Sequence, residues 1–259
     1  MTDLTGKVAA ITGGTRGIGR GLAEAFLAAG ASVAMNGRNP AKGEQALQEM
    51  NAGDRAAFFA GDVTRQADVE AFIDQTIERF GRIDILVNNA GGSSGFALVE
   101  DLSDEAWDQA AAWILHSCFW ATRRALKDMK KRGFGRIINI SSVEGRQANK
   151  ATASHYITFK HAMNGFTKAV AFEYGDAGIT SNAISPGAVE TDLMRESGPA
   201  AAEAMGISYE QFKDNYAQEA AIKRLNRVEE VAGLALYLVS DAGGGVTGAI
   251  MPVDGGTAL

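Results

Sequence analysis

One stretch near the N-terminus restricts the architecture of this chain more than any other: Lys7-Val-Ala-Ala-Ile-Thr-Gly-Gly-Thr-Arg-Gly-Ile-Gly19. Val8 to Ile11 is a short apolar run, as in a strand buried on both faces. It breaks into a turn holding Gly13, Gly14, Gly17 and Gly19, with Thr15, Arg16 and Ile18 among them. An amphipathic helical pattern follows in Leu22, Ala25, Phe26 and Ala29. Strand, glycine turn and helix in that order form an anion cradle. The glycines permit the tight turn and a close backbone approach, while free N–H groups and the helix dipole favour negative charge. A pyrophosphate-bearing nucleotide is the expected occupant; a merely structural βα turn is the plainer alternative.

Alternation continues to the end of the chain. Strands are expected at Val8–Ile11, Ser32–Asn36, Ala56–Ala60, Ile85–Asn88, Arg136–Ile140, Thr180–Ile184 and Gly248–Val253, with helices such as Asp68–Phe80, Asp104–Lys131 and Thr152–Tyr174 between them. Repeated βα units with apolar strands predict an α/β fold, a doubly wound parallel sheet with helices on both faces. No Pro-, Gly- or Ser-rich linker divides the 259 residues, so one domain over 1–259 is expected. The net charge of -6 disfavours nucleic acid and acidic membrane surfaces as main partners. Cys118 stands alone in an apolar helical context and reads as a packing residue, which excludes an intramolecular disulfide or a thiolate metal cluster. With no signal pattern and no apolar run of membrane-spanning length, a cytoplasmic location is expected.

Further motifs follow in order. Asn88-Asn89-Ala90-Gly91 closes the fourth strand, where ligands sit in doubly wound sheets. Ser141 and Ser142 end the fifth strand, where the plainer reading is a turn or cap. Tyr156 and Lys160 lie one helical turn apart, so an ammonium near the phenol is expected to lower its pKa. Pro186-Gly187 follows the sixth strand. The spacing Thr12-Gly13-x-x-x-Gly17-x-Gly19 departs from the usual Gly-x-Gly-x-x-Gly fingerprint. These motifs, in this order and through Val253-Asp-Gly-Gly256, resemble the short-chain dehydrogenase/reductase family along essentially the whole chain.

The resemblance implies a single Rossmann-like sheet of about seven strands and reversible hydride transfer between a nicotinamide cofactor and a carbonyl or alcohol carbon. It implies Ser142, Tyr156 and Lys160 as the catalytic residues. Cofactor contacts are implied at Gly13, Thr15, Arg16, Gly17, Ile18, Gly19, Arg38, Asp62, Val63, Asn89, Ala90, Gly91, Pro186, Gly187, Val189 and Thr191, besides Tyr156 and Lys160. Asp62 and Val63 would meet the adenine, although Asp62 equally suits a helix cap. Val189 and Thr191 would contact the nicotinamide carboxamide. An acid at the end of the second strand would bind a free ribose 2′-hydroxyl, but Gly37 stands there. Arg38 and Arg16, converging on a 2′-phosphate, favour NADP (NADPH) over NAD. By resemblance the protein is a homo-oligomer, a tetramer or dimer, with a small-molecule carbonyl or alcohol substrate.

Two regions depart from the family. Ile114 takes a place usually held by Asn, which predicts a weaker local helix distortion there, with His116 or Ser117 as possible compensation. Residues 192–222 are long for the fold and suggest a helical lid carrying Leu193, Met194, Tyr209, Phe212 and Tyr216. The lid and Ala148-Asn149-Lys150 are similar to 3-hydroxybutyrate dehydrogenases. Arg146 and Lys150 suit an anionic substrate or plain solvation, and Ser93, Ser94, Phe96, Val143, His155 and Ala188 are further pocket candidates. The alternatives are therefore an NAD-linked dehydrogenase of a small hydroxy acid and a nucleotide-binding scaffold whose catalysis has decayed.

Overall fold

The structure is a computed structural model that describes residues 2–257, the side chain of Leu193 excepted. Seven strands form one parallel sheet: β1 (Val8–Ile11), β2 (Ser32–Gly37), β3 (Ala56–Ala60), β4 (Ile85–Asn88), β5 (Gly135–Ile140), β6 (Ile179–Pro186) and β7 (Ile250–Val253). Their spatial order is β3-β2-β1-β4-β5-β6-β7. From β1 the chain works outward to β3, then returns to start at β4 on the other side. The order reverses between β1 and β4, and a crevice opens at such a switch point, at the C-terminal strand ends.

Alternating side chains supply two apolar layers. Ile11 and Val33 point to the layer holding Leu22 and Phe26 of α1 (Gly17–Ala28) and Val231 and Leu238 of α9 (Val228–Val239). Ala10 and Leu86 point to the opposite layer, with Phe72 and Ile73 of α3 (Gln66–Phe80) and Leu126 and Met129 of α5 (Ser117–Arg132). With both faces covered, the strands need no polar alternation, and β1 and β4 are mostly apolar runs, whereas β6 buries Thr180, Ser181, Asn182 and Ser185.

The long helix expected over Asp104–Lys131 is interrupted. Between α4 (Asp104–Ala110) and α5, residues Ala111–His116 form a π-helical turn, and the N–H of Ser117 reaches Ala112 O, five residues back. The distortion is therefore present with isoleucine at 114, contrary to the expected weakening. Packing accounts for it: Ile114 is wholly buried with Ala110, Ala111, Cys118, Phe159 and Met163. The Ser117 hydroxyl donates to Trp113 O at 2.6 Å, taking up one carbonyl of the widened turn. His116 does not contribute there; it is exposed, with its ring against Trp120. Residues 192–222 are helical as expected, in α7 (Asp192–Ala204) and α8 (Tyr209–Glu219). Among the described residues no helix is long and apolar enough to cross a membrane.

Candidate active site

A cleft of about 720 Å³ runs along the C-terminal strand ends. Its lining includes Gly13, Thr15, Arg16, Gly17 and Ile18 from the glycine turn, Arg38 and Val63 after β2 and β3, and Asn89, Ala90 and Gly91 after β4. Ser142, Tyr156, Lys160, Pro186, Gly187, Val189 and Thr191 also line it. The fold thus brings together all but two of the predicted site residues.

The turn explains its own composition. Gly13 and Gly17 have φ of +65° and +56°, a region that disfavours side chains. A Cβ on Gly13 would also stand 3.1 Å from Asn89 Nδ2. Asn89 Nδ2 donates to Thr12 O and Gly13 O, each at 3.0 Å, and Thr12 Oγ1 accepts the Asn89 and Ala90 N–H groups at 3.0 and 3.1 Å. These bonds fasten the ends of β1 and β4 across the switch point. Gly19 is one of the two residues outside the lining. It lies behind the turn, where a Cβ would overlap Asn89 Nδ2 and Gly13 O, so its contribution is to packing.

The other residue outside the lining is Asp62. Its carboxylate accepts from Thr64 N at 3.0 Å and Thr64 Oγ1 at 2.9 Å, closing the turn before α3. Asp62 is not the N-cap of α3, a place held by Arg65. Both predicted arginines line the cleft. Arg16 pairs with Glu196 of α7 at 3.5 Å, while the Arg38 guanidinium stands 5.7 Å from the centre of the Trp113 ring. They share the cleft without sharing a partner.

At the far end, Ser142 follows β5 and opens a 3₁₀ turn, Val143–Gly145. Its hydroxyl accepts from Glu144 N at 3.2 Å and is hydrogen-bonded to Tyr156. Tyr156 and Lys160 project from α6 (Ser154–Tyr174). That helix is held to the sheet by a buried polar chain: Asn88 Nδ2 donates to Asn139 Oδ1 at 2.8 Å, and Asn139 Nδ2 to Thr167 Oγ1 at 2.8 Å. Cys118 is buried beside this chain, as its packing role requires.

Lys160 is buried, and Nζ donates to Ile140 O at 2.7 Å. Burial holds its pKa down to about 8. Its ammonium lies 5.6 Å from the centre of the Tyr156 ring. Tyr156 does not show the expected depression. Burial pushes its pKa up, the Ser142 hydrogen bond opposes the rise, and the Glu144 charge adds to it. Glu144 itself was not foreseen, because nothing marks a glutamate in the turn after a strand as buried. Its carboxyl is buried without a well-formed hydrogen bond, and burial pushes its pKa up, with the Asn149 amide opposing.

Other candidates divide. Ser93 lines the cleft. The His155 ring nitrogen lies 3.0 Å from Ser94 O, and its ring meets the edge of Phe96 away from the cleft lining. Val143 is buried, and Ala188 O accepts from Asn226 N at 2.9 Å. Arg146 is bound to Asp254 at 2.9 Å, and Lys150 lies 4.0 Å from both Glu219 and the Tyr216 ring centre. Both cations are engaged by protein rather than simply solvated. The side chain of Leu193 is outside the described residues. No cluster of His, Cys, Asp and Glu among the described residues suits a metal ion.

The chain matches the family model for enoyl-(acyl carrier protein) reductase over residues 13–258. It is 40% identical to a D-beta-hydroxybutyrate dehydrogenase of Cupriavidus necator, over 98% of each chain. It is 36% identical to a 3beta-hydroxysteroid dehydrogenase of Mediterraneibacter gnavus, covering 96% of this chain and 94% of the relative. The crystal structure of a variant of actinorhodin polyketide ketoreductase with NADPH superposes with a TM-score of 0.91, at 34% identity over 99% of both chains.

Proposed function

The chain belongs to the short-chain dehydrogenase/reductase family, oxidoreductases that act on CH–OH groups and use nicotinamide cofactors, and from that premise we propose an NADP-preferring carbonyl reductase or alcohol dehydrogenase. One observation carries the proposal: Ser142, Tyr156 and Lys160 meet at one end of the cleft whose other end is the glycine cradle. The residues fit such a cofactor. The cradle rejects side chains, as Gly13 and Gly17 demonstrate, and Arg38 lies beyond the strand end where Gly37 offers no carboxylate.

The cofactor, when bound, supplies or accepts the hydride. The protein handles the oxygen and its proton. As a carbonyl is reduced, charge grows on its oxygen; Ser142 donates a hydrogen bond to it and Tyr156 donates the proton. Burial raises the pKa of this phenol, which keeps the proton on Tyr156 at neutral pH. Lys160, anchored on Ile140 O, is positioned for the cofactor ribose and for resupplying the proton. Thr191 lines the cleft and also caps α7, accepting from Met194 N at 3.2 Å. Tyr209, Phe212 and Tyr216 form a row of ring contacts on α8, and in this reading α7 and α8 act as a lid over the substrate. Phe119 on α5 and the nearly fully exposed Phe172 on α6 support association of copies through these helices.

A second reading, an NAD-linked dehydrogenase of a small hydroxy acid, draws on the D-beta-hydroxybutyrate dehydrogenase relative. Consumption of NADPH and NADH against simple ketones and 3-oxo acids separates the readings. The first predicts turnover at least about tenfold faster with NADPH. Faster turnover with NADH and a short oxo acid favours the second. Nucleotide binding without turnover on any carbonyl leaves a silent scaffold.

A further inference from the structure

Trp113 belongs to neither the glycine cradle nor the Ser142–Tyr156–Lys160 group, yet it lines the same cleft at the Arg38 end. The π-helical turn presents it there, and such turns often mark functional positions. The indole is half-buried, braced by apolar residues of two core clusters. A Cβ on Gly92 would stand 3.7 Å from its six-membered ring, so the loop after β4 is small where the ring needs room. The Arg38 guanidinium faces the ring at 5.7 Å, within cation–π range. Neighbouring lining residues Gly37, Gly61, Val63 and Ala90 are small.

A flat π surface facing a planar cation, over a floor of small residues, suits a flat heteroaromatic base. The same end of the cleft lies beyond β2 and β3, on the adenosine side of a dinucleotide whose pyrophosphate rests on the glycine turn. We infer that Trp113 is the platform on which the cofactor's purine stacks, with Arg38 covering the outer face of the base. Two stacked contacts need about 7 Å between the outer groups, so Arg38 must move outward by about 1–2 Å. Its exposed side chain permits this. Asp62 Oδ1 accepts both bonds from Thr64. Stacking reads a π face rather than a hydrogen-bond pattern. This inference rests on the nucleotide reading proposed above.

Tryptophan emission tests it in the full-length protein, with Trp107→Phe and Trp120→Phe leaving Trp113 as the sole indole. Titration with adenosine 2′,5′-bisphosphate or NADP is expected to quench the emission by about half or more, whereas nicotinamide mononucleotide leaves it unchanged. By calorimetry, Trp113→Leu weakens adenosine 2′,5′-bisphosphate about tenfold and Trp113→Phe less than about threefold. Unfolding midpoints of the variants confirm that each is folded, and the emission arm decides the matter if the leucine variant is not. Unchanged emission, or affinity in a folded Trp113→Leu equal to that of the wild type, overturns the platform while leaving the nucleotide reading intact. No calorimetric binding of either nucleotide to the wild type overturns both.

Discussion

At the glycine-turn end the cleft is shaped mainly by backbone, whereas at the Tyr156 end it is shaped by side chains from separate segments of the chain. The first end tolerates no Cβ where Gly13 and Gly19 approach Asn89. The second depends on the distance between a strand end carrying Ser142 and a helix carrying Tyr156 and Lys160. A backbone-built site writes itself into the sequence as glycine spacing, because the constraint is local. A side-chain site records residue types but not their environment. The pKa values at Tyr156 and Lys160 come from burial that only the assembled fold supplies.

Lys160 offers the sharpest way to separate these two kinds of design. Lys160→Met should lower kcat by about 10²- to 10⁴-fold, the range for losing a positioned proton-transfer group. The same change should stabilise the fold. The folded pKa of about 8 lies below the ordinary 10.5, so burying the ammonium costs stability fully below pH 8, and the cost disappears as pH rises toward 10.5. The gain of the methionine variant should therefore be greatest below pH 8, at most about 3 kcal/mol, and shrink to nothing above pH 10.5. Denaturant titrations across that range check it.

Arg38→Glu comes next in size. Replacing a cation by an acid beside the expected 2′-phosphate should shift the NADPH-to-NADH ratio of kcat/KM by about 100-fold toward NADH. An unchanged ratio would show that Arg38 does not read the phosphate. At the backbone-built end, Gly19→Ala should cost about 1–3 kcal/mol, read as a lower denaturant midpoint, and should weaken nucleotide binding because the Asn89 clamp must shift. Ile114→Asn should matter least to chemistry. The π turn already exists without the amide, so kcat should change by less than about threefold, while stability falls by about 1–3 kcal/mol from an amide buried among apolar groups. A tenfold or greater rise in kcat would mean that isoleucine limits turnover.

What could be read from the chain follows the same division. All seven strands were placed from the alternation of short strand-like segments with helical patterns, and β1 and β4 stand out as apolar runs in a sheet covered on both faces. The crevice residues from Gly13 through Thr191 could be named because the motifs that carry the family resemblance lie in turns at strand ends. The π-helical turn was only partly legible: Ile114 suggested its weakening, but it is present, with Ile114 buried in it and the Ser117 hydroxyl bonded to Trp113 O. Nor were the engagements of Arg16 with Glu196 and Arg38 with Trp113, since each joins segments far apart in the chain. Charge type is visible in a sequence; the partner that uses the charge is not. Substrate identity is hidden for a related reason, because α7 and α8 carry no chemistry-bearing motif.

The most direct measurement of the central claim compares Tyr156→Phe with the wild type for both nucleotide affinity and turnover of the best carbonyl substrate. The account predicts a Kd for the reduced cofactor within about threefold of the wild type and a kcat lower by about 10³-fold or more, because only the proton donor has been removed. A Tyr156→Phe protein that turns over at near wild-type rates would contradict it.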